Sequence, residues 1–363
     1  MKRRDKYNGR RKTPLFFSVS FRLVLIVAAM AMALSYISVF TDPSVFSFPM
    51  FFGLFFIPIA IINFILLIAA LVKRSRSAWI PLIVLLPFLL FADSFFRIGN
   101  DSKDEETEYK GSLKIESYNV GMFSSANPEM ERENCRKQIA GHLEKEGAAI
   151  VCLQEFYAAD YLQADTIFSR QYPYRHYKLF RTRDGHLFGN IILSRWKIAG
   201  SGSMTFPAST NLSIFADIDI GHDTLRIYNN HLESYNISFT SIIKKLTDSQ
   251  KEIQEKMKGT TIKRSDQVNT ILENIGHSRH PVIICGDFND TPLSYAYHRL
   301  SKGRKDSFKE AGKGFAATFA PLWPLLRIDY ILFPKEFSGI SHHTPRINLS
   351  DHYPVIAETG YND

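Results

Sequence analysis

Two long runs without a charged side chain constrain this chain most. Residues 23–40 are uncharged over 18 positions, and residues 46–72 over 27. A helix needs ~20 apolar residues to cross ~30 Å of hydrocarbon, so each run is long enough to span a membrane. A buried helix of a soluble protein or a cleavable signal peptide could explain one such run, but it explains two in succession less well. Pro49 and Pro58 are compatible with the second span, because membrane helices tolerate proline.

A third apolar run, residues 78–92, is shorter and contains Pro81 and Pro87. We extend it to the aromatic residues that follow and still interpret it as a span. The predicted transmembrane helices therefore lie at about 23–40, 46–72 and 78–96, within an N-terminal membrane region of residues 1–97.

The charges between these runs predict an orientation. Residues 1–12 carry seven basic side chains and residues 73–77 carry three, whereas residues 41–45 carry none. Basic segments remain in the cytoplasm, so three spans predict a multi-pass cell-membrane protein whose remaining chain faces away from the cytoplasm. If the third run does not span, this direction is reversed.

The net charge of +8 belongs to the membrane region. Residues 1–97 hold 12 basic and 3 acidic side chains, which leaves 32 basic and 33 acidic residues in the rest of the chain. The rest therefore has no overall electrostatic signature of a nucleic-acid-binding protein, although a local basic patch remains compatible with this balance. The three cysteines form no obvious disulfide framework, and Cys152 and Cys285 lie in apolar runs typical of buried free thiols, while the sequence leaves one disulfide open.

Beyond a polar linker at residues 98–112, strand and helix patterns alternate, which predicts an α/β fold. Residues 282–285 form an apolar strand that we expect Gly286 to stop, because glycine lets the backbone turn. Asp287 and Asn289 follow at a spacing of two, which places them on one side of an extended segment.

Other segments give similar predictions. We expect an amphipathic helix at residues 239–257, a second helix at residues 266–275 and a buried strand at residues 148–153. A further strand, residues 327–332, contains Asp329. A buried carboxylate requires a partner, and we expect His352 to supply it.

Polar side chains follow the apolar part of separate strands throughout this region, and they converge on one cleft if the strands share a sheet edge. They are Asn119, Glu155, His231, Asp287, Asn289, Asp351 and His352. Carboxylate and amide oxygens suit a hard divalent cation, Mg²⁺ or Mn²⁺, and no cysteine pair or HExxH spacing indicates zinc. Histidines beside such a site fit metal-assisted displacement at phosphorus. Each residue alone is more often a turn former or an ordinary surface or core residue.

Six motifs in order give the set its specificity. They are Ser-Tyr-Asn-Val at Asn119, Leu-Gln-Glu at Glu155, Asn-His-Leu at His231, Gly-Asp-Phe-Asn at Asp287 and Asn289, Arg-Ile-Asp-Tyr at Asp329, and Ser-Asp-His at Asp351 and His352. Over about residues 113–359 the chain resembles the endonuclease/exonuclease/phosphatase superfamily. The resemblance implies a four-layer α/β sandwich, in which two packed sheets are flanked by helices, and a Mg²⁺-dependent site at one end of the sheets. The catalytic domain is then residues 113–363.

The resemblance also implies a role for each residue. Glu155 is the main metal ligand, with Asn119 and Asp351 in support. Asp287 activates or orients the attacking water, and Asn289 positions the phosphate and the nucleophile. The histidines, His231 and His352, stabilise the transition state, and Asp329 holds His352. The Asn-His-Leu motif resembles the deoxyribonuclease I, sphingomyelinase and inositol-phosphatase branches.

We therefore predict a membrane-anchored, divalent-metal-dependent phosphodiester hydrolase. Its substrate is a lipid head group, a small phosphodiester or a nucleic acid, and the sequence indicates no protein partner. Two alternatives remain open: an extracytoplasmic endonuclease acting on DNA or RNA, and a non-catalytic membrane protein that keeps the fold as a binding module.

Overall fold

The computed structural model describes residues 15–99, 109–124, 129–221, 223–235 and 250–361. The seven basic residues near the N-terminus, most of the predicted linker and most of the predicted helix at 239–257 lie outside these ranges.

The described residues form nine α-helices and fourteen strands. The helices are α1 Leu15–Ile37, α2 Met50–Leu54, α3 Phe56–Val72, α4 Trp79–Leu85, α5 Arg132–Glu146, α6 Tyr161–Thr166, α7 Gln250–Gly276, α8 Tyr295–Ser301 and α9 Ser307–Ala311. The strands are β1 Phe96–Arg97, β2 Gly111–Asn119, β3 Ile150–Ala158, β4 Tyr174–Arg181, β5 Leu187–Ser194, β6 Ile198–Thr205, β7 Leu212–Asp219, β8 Thr224–His231, β9 Val282–Asp287, β10 Arg304–Asp306, β11 Gly314–Phe315, β12 Asp329–Pro334, β13 Ser338–His343 and β14 Val355–Tyr361.

Two six-stranded sheets form the body of the fold. The first has the order β13-β14-β2-β3-β5-β4, and the second has the order β10-β12-β9-β8-β7-β6. Each sheet contains one parallel pair near its centre, β2–β3 in the first and β8–β9 in the second, and its other pairs are antiparallel. Both sheets are therefore mixed.

Three apolar clusters hold these layers together. The cluster between the sheets joins Ile115 and Cys152 of the first sheet to Ile227 and Cys285 of the second. A second cluster covers the outer face of the first sheet with α5, and a third covers the outer face of the second sheet with α7 and α8. The order helix, sheet, sheet, helix confirms the predicted four-layer α/β sandwich. The three cysteines are buried and free.

The strand that carries the Gly-Asp-Phe-Asn motif is longer than predicted. β9 continues through Gly286 to Asp287, so the glycine does not stop it. Gly286 has φ +133°, and a Cβ there would lie 2.0 Å from the Asn230 carbonyl oxygen. Glycine is needed at this position because β8 and β9 approach each other closely, and the turn follows one residue later.

Three other predicted boundaries also change. α7 is one continuous helix of 27 residues, so residues 266–275 are its C-terminal part rather than a separate helix. β3 continues past Glu155 to Ala158, with an irregular register between Leu153 and Phe156. β12 begins at Asp329, which lies at the strand end and not inside the strand.

The apolar N-terminal segments form a small helical bundle, which we call the helical region and define as residues 15–95. Asn63 donates from Nδ2 to the Ala28 carbonyl (3.0 Å), which joins α3 to α1, and the Tyr36 hydroxyl donates to the Val84 carbonyl (2.9 Å), which joins α1 to α4. Many large apolar side chains on the outside of this bundle are exposed, among them Leu23, Val27 and Ile65.

The second and third apolar runs are not single continuous α-helices. Pro58 lacks the N–H that a continuous helix would donate to Leu54, and the chain breaks at Phe55 between α2 and α3. Pro87 lies in a 3-10 turn that follows α4. By length and composition, one helix in the described residues, Val19–Ile37, is sufficient to cross a membrane, while Phe56–Val72 and Arg76–Leu90 are shorter apolar helices.

Candidate active site

The predicted site residues meet because of the strand directions. The parallel strands β2, β3, β8 and β9 deliver their carboxyl ends to one edge of the sandwich. The antiparallel strands β12 and β14 bring their amino ends to the same edge. Strand pairing aligns His231 with Asp287 and Asp287 with Asp329. The sheet register alone therefore places these three residues side by side.

Asn119 connects the two sheets at this edge. Its Nδ2 atom lies 3.3 Å from Glu155 Oε1 and 3.1 Å from Asp287 Oδ2. Its Oδ1 atom accepts a hydrogen bond of 3.0 Å from the Gly121 amide, which fixes the orientation of the side chain. One amide thus holds a carboxylate from each sheet.

Glu155 lies at a backbone irregularity. Its φ is +51°, in the left-handed region that a non-glycine residue rarely adopts, and it coincides with the irregular register of β3. Such conformations occur preferentially at functional sites. Glu155 is partly exposed, whereas its neighbours Gln154 and Phe156 are buried, so its carboxylate is the part of this strand that reaches the cleft.

Asp287 and Asn289 are brought together by a turn rather than by an extended segment. Asn289 has φ +52°. Its backbone amide donates to Asp287 Oδ1 (2.8 Å), and its Nδ2 atom lies 3.3 Å from Asp287 Oδ2. The predicted neighbourhood of the two side chains is confirmed, but the predicted extended geometry is wrong.

His231 faces both carboxylates at slightly more than hydrogen-bond distance. Its Nε2 atom lies 3.7 Å from Glu155 Oε1 and 3.9 Å from Asp287 Oδ2. Its buried Nδ1 atom has no hydrogen-bond partner among the described residues. Burial lowers the pKa of His231 despite the Asp287 charge, which favours the neutral ring.

His352 has the opposite environment. Its Nδ1 atom lies 2.9 Å from Asp329 Oδ2, as predicted, and its Nε2 atom lies 3.8 Å from Asp287 Oδ2. Burial alone would lower the pKa of His352, but the Asp329 and Asp287 carboxylates outweigh it and raise the pKa to about 10. Phe319 packs edge-on against the ring, with 5.2 Å between the centroids.

Asp351 lies at the exposed rim of the same cleft. Its backbone carbonyl accepts from the Ala320 amide (2.9 Å), and a Cβ on Gly121 would lie 3.4 Å from its Oδ1 atom. Gly121 follows Asn119 by two residues, so the Asp351 carboxylate stands beside the turn that Asn119 begins. All eight predicted residues therefore lie at one edge, seven in direct proximity and Asp351 at the rim.

The cleft contains more negative charge than its histidines compensate. Burial raises the pKa of Glu155, and the Asp351 and Asp329 charges raise it further. Burial and the Asp329 charge likewise raise the pKa of Asp287 to about 6. A divalent cation would relieve this repulsion, and the carboxylate oxygens of Glu155 and Asp351 suit Mg²⁺ or Mn²⁺. Asn119 faces Glu155 with Nδ2, so it would support the metal by holding that carboxylate. The residues present therefore fit the metal that the resemblance implies.

A second group of potential ligands lies deeper. Asp287, Asp329 and His352 each offer one ligand atom, and these atoms lie within 4.8 Å of one another. A metal-bound histidine must be neutral, whereas His352 Nδ1 is paired with Asp329 and the neighbouring carboxylates raise the pKa of the ring. We therefore favour the Glu155 side of the cleft over this group as the metal position.

Sequence analysis missed a layer of buried amides beneath the site. Gln154 donates from Nε2 to Asn229 Oδ1 (2.7 Å), and Asn229 donates from Nδ2 to the Leu153 and Ile191 carbonyls (2.9 and 2.8 Å). Asn190 lies close by and donates to the Asn229 carbonyl (3.2 Å). These bonds join the two sheets directly below the catalytic edge. The available signal was an amide inside each of three apolar strand runs.

Comparison with known families agrees with this geometry. The model of the Endonuclease/Exonuclease/phosphatase family matches residues 117–352. The chain belongs to this family. Its members are hydrolases that act on phosphoester bonds, and they generally depend on divalent metals. A second model, of a domain of unknown function, matches residues 18–95, which is nearly the whole helical region. The search of curated proteins found no match.

Solved structures share the fold at low sequence identity. An endonuclease/exonuclease/phosphatase from Beutenbergia cavernae has a TM-score of 0.51 and 16% identity, covering 69% of this chain and 72% of its own. A family protein from Leptotrichia buccalis has a TM-score of 0.51 and 17% identity over 68% and 98% of the two chains. The human Nocturnin catalytic domain has a TM-score of 0.51 and 15% identity over 69% and 95%.

Proposed function

We propose that this protein is a membrane-anchored, divalent-metal-dependent phosphodiester hydrolase. The observation that carries the proposal is the Asn119 amide between Glu155 and Asp287, with a neutral and a protonated histidine facing the same carboxylate. In many active sites the environment shifts the pKa values of two titratable groups apart, and one group then acts as the acid and the other as the base.

Each residue has a task that follows from its environment. Asp287, held by the Asn289 amide and facing both histidines, accepts a proton from the attacking water. His352 is protonated and donates from Nε2 to a phosphoryl oxygen, while Asp329 fixes the ring through Nδ1. His231 is neutral and donates a hydrogen bond from Nε2 to another phosphoryl oxygen. Both histidines thus stabilise charge that develops in the transition state.

We infer that the metal would be held on the side of the cleft that carries Glu155. Glu155 would hold it, with Asn119 and Asp351 in support, because Glu155 and Asp351 carry the carboxylates nearest the exposed rim and Asn119 holds Glu155 through Nδ2. Mg²⁺ or Mn²⁺ held there would supply positive charge to offset the negative charge that develops during phosphoester cleavage. The remaining catalysis comes from how Asp287, His231 and His352 are positioned.

The helical region supports an extracytoplasmic catalytic domain with three membrane segments. Arg22 donates to Ser77 at one end of the bundle (3.1 Å), where Lys73, Arg74 and Arg76 also lie. The opposite end, around residues 38–56 and 91–97, contacts the sandwich. Basic residues thus gather at the end away from the catalytic domain, as the positive-inside rule requires for this orientation.

Proximity to the membrane favours a compact phosphodiester, above all a lipid head group, over long DNA. Leu293, which packs in the apolar cluster of the helical region, follows Asp287 by six positions. At ~3.3–3.6 Å per residue the site lies within ~22 Å of that cluster. Lipid head groups are then present at high effective concentration. Duplex binding relies on several basic contacts to phosphates, and the chain beyond residue 97 has one more acidic than basic residue.

The full-length protein in liposomes tests the proposal. We expect hydrolysis of phospholipid or small phosphodiesters with Mg²⁺ or Mn²⁺ and none in EDTA. Rapid, salt-sensitive cutting of plasmid DNA without lipid turnover would instead identify a surface nuclease. Binding without turnover of any phosphodiester would identify a binding module.

A reporter fusion tests the orientation. We expect alkaline phosphatase fused to the C-terminus to be active in cells and a reporter that works only in the cytoplasm to be silent. The opposite pattern would show that the third apolar segment does not span.

A further inference from the structure

A short loop links the catalytic edge to the helical region. It runs from Asp287 at the end of β9, through Asn289, to Leu293 before α8. Leu293 is fully buried, not among the apolar residues of the sandwich but in a cluster with Met32 and Phe56 of the helical region. The loop that carries two proposed catalytic residues therefore ends inside another structural unit.

Polar contacts fix the same end of the loop. The Ser38 hydroxyl, at the end of α1, lies 2.9 Å from the Leu293 carbonyl oxygen. The Thr291 hydroxyl donates to the Gly53 carbonyl of α2 (3.3 Å). Asp42, between these two helices, accepts from Ser265 (2.8 Å) and from the Tyr295 hydroxyl (3.0 Å). Both backbone and side chains of the loop are thus tied to the helical region.

Gly53 sets how closely the two units approach. A Cβ at this position would lie 2.2 Å from Ser38 Oγ and 2.6 Å from the Leu293 carbonyl oxygen. The Ser38 side chain can rotate away, but the Leu293 carbonyl belongs to the loop backbone. Gly53 is not among the glycines with a positive φ, so an alanine there would act through contact alone.

The middle of the loop is anchored to the sandwich. Asp290 accepts from the buried Arg264 guanidinium (2.7 Å), and its carbonyl accepts from the Tyr330 hydroxyl (2.9 Å). The loop is therefore held at Asp290 by the sandwich and at Leu293 by the helical region. Three positions along the chain separate the two anchors, and Asn289 directly precedes Asp290.

We propose that the helical region positions the catalytic loop, and that Gly53 is the residue through which it does so. This inference rests on the proposed function, because its activity readout requires turnover. Gly53 is a positioning residue: it contacts Leu293 and acts on Asp287 and Asn289 through the loop backbone.

The test compares three substitutions in full-length protein in liposomes. Gly53→Ala introduces both close contacts. Ser38→Ala combined with Gly53→Ala removes Ser38 Oγ, and with it the hydrogen bond to the Leu293 carbonyl, but leaves the close contact of the new Cβ with that carbonyl. Gly141→Ala is the matched control, since Gly141 lies in α5 and a Cβ there meets nothing within 4 Å.

We expect Gly53→Ala to lower kcat by about 10-fold to 100-fold with KM within about twofold, because small displacements of catalytic groups have such effects. The double variant should remain impaired, and Gly141→Ala should match the wild type. Full recovery in the double variant would show that the effect comes from packing between α1 and α2, and would overturn the proposal. Wild-type kcat in Gly53→Ala would also overturn it.

Hydrogen exchange separates failure of this inference from failure of the proposed function. We expect faster exchange of the amides of residues 288–293 in Gly53→Ala than in the wild type, with α5 unchanged. This readout needs no substrate, so it stands even if the wild type hydrolyses no phosphodiester. If Gly53→Ala does not fold, Ser38→Ala alone, which adds no atoms, should give a smaller change of the same kind. Unchanged exchange in the loop would refute the coupling.

Discussion

His352 and Asp329 form a buried pair, with His352 Nδ1 2.9 Å from Asp329 Oδ2. The carboxylate keeps the ring protonated, whereas His231, which lacks such a partner at Nδ1 among the described residues, is kept neutral by burial. Two histidines of one cleft thus differ in charge because a carboxylate lies behind only one of them. This difference leads to the first prediction.

Asp329→Asn should lower kcat at pH 8 by about 100-fold or more, since transition-state donors are typically worth that much. Without the Asp329 carboxylate, only the Asp287 and Asp351 charges oppose the effect of burial, so the pKa of His352 falls and the ring loses its proton more readily as the pH rises. Activity of the variant should therefore rise as the pH falls from 8 towards 6. Wild-type activity should not rise over this interval. A variant with a wild-type pH profile would show that Asp329 does not set the charge of His352.

The acid limb of the wild-type pH–activity profile reports the ionisation of Asp287. Burial and the Asp329 charge raise its pKa to about 6, and a proton acceptor must be ionised. We expect kcat/KM to fall as the pH decreases through about 6, and a bound divalent cation should move this limb to lower pH. Measuring the profile at two Mg²⁺ concentrations checks both statements. An acid limb that is absent down to pH 4 at low Mg²⁺ would exclude this role.

We expect the divalent metal to bind at the exposed side of the cleft, where Glu155 lies. Glu155→Gln should lower activity by about 1,000-fold or more and weaken Mn²⁺ binding measured by calorimetry. Asp351→Asn should weaken binding less, because Asp351 lies at the rim. His352→Gln provides the control: it should lose activity but retain Mn²⁺ binding. Loss of binding in this control would place the metal in the deeper group instead.

Gly286→Ala should destabilise the catalytic domain by about 3 kcal/mol or more. The added Cβ would meet the Asn230 carbonyl at 2.0 Å in a backbone conformation that alanine rarely adopts. Gly141→Ala, in an open helical position, should instead stabilise the protein by about 0.5–1 kcal/mol. Thermal unfolding in detergent, followed by tryptophan fluorescence, compares the two. Equal unfolding temperatures for Gly286→Ala and the wild type would contradict the close approach of β8 and β9.

The site was predictable from the sequence because its residues follow local rules. Buried strands are recognised by their apolar, β-branched composition, and the polar residue that follows each one marks its end. The pairing of Asp329 with His352 was also predictable, since a buried carboxylate must find a partner. Local patterns do not show how closely two strands approach. The sequence therefore predicts a turn at Gly286, whereas glycine is needed there because β8 and β9 lie close together.

The amide layer formed by Gln154, Asn190 and Asn229 depends on which strands become neighbours. Those contacts join residues up to 76 positions apart, and no local pattern records them. The break at Phe55 was not predicted either. The apolar composition of residues 46–72 favours one span, and it does not record the hydrogen bond that Pro58 cannot make.

The sequence by itself determined the fold class, the set of polar strand-end residues from which we propose the site and the existence of an apolar N-terminal region, since periodicity, motif order and composition are properties of the chain alone. Only the tertiary structure decided the charge of each histidine and the contact of the helical region with the catalytic loop. Burial and the distance to a neighbouring charge set a pKa, and both arise only when distant segments pack together.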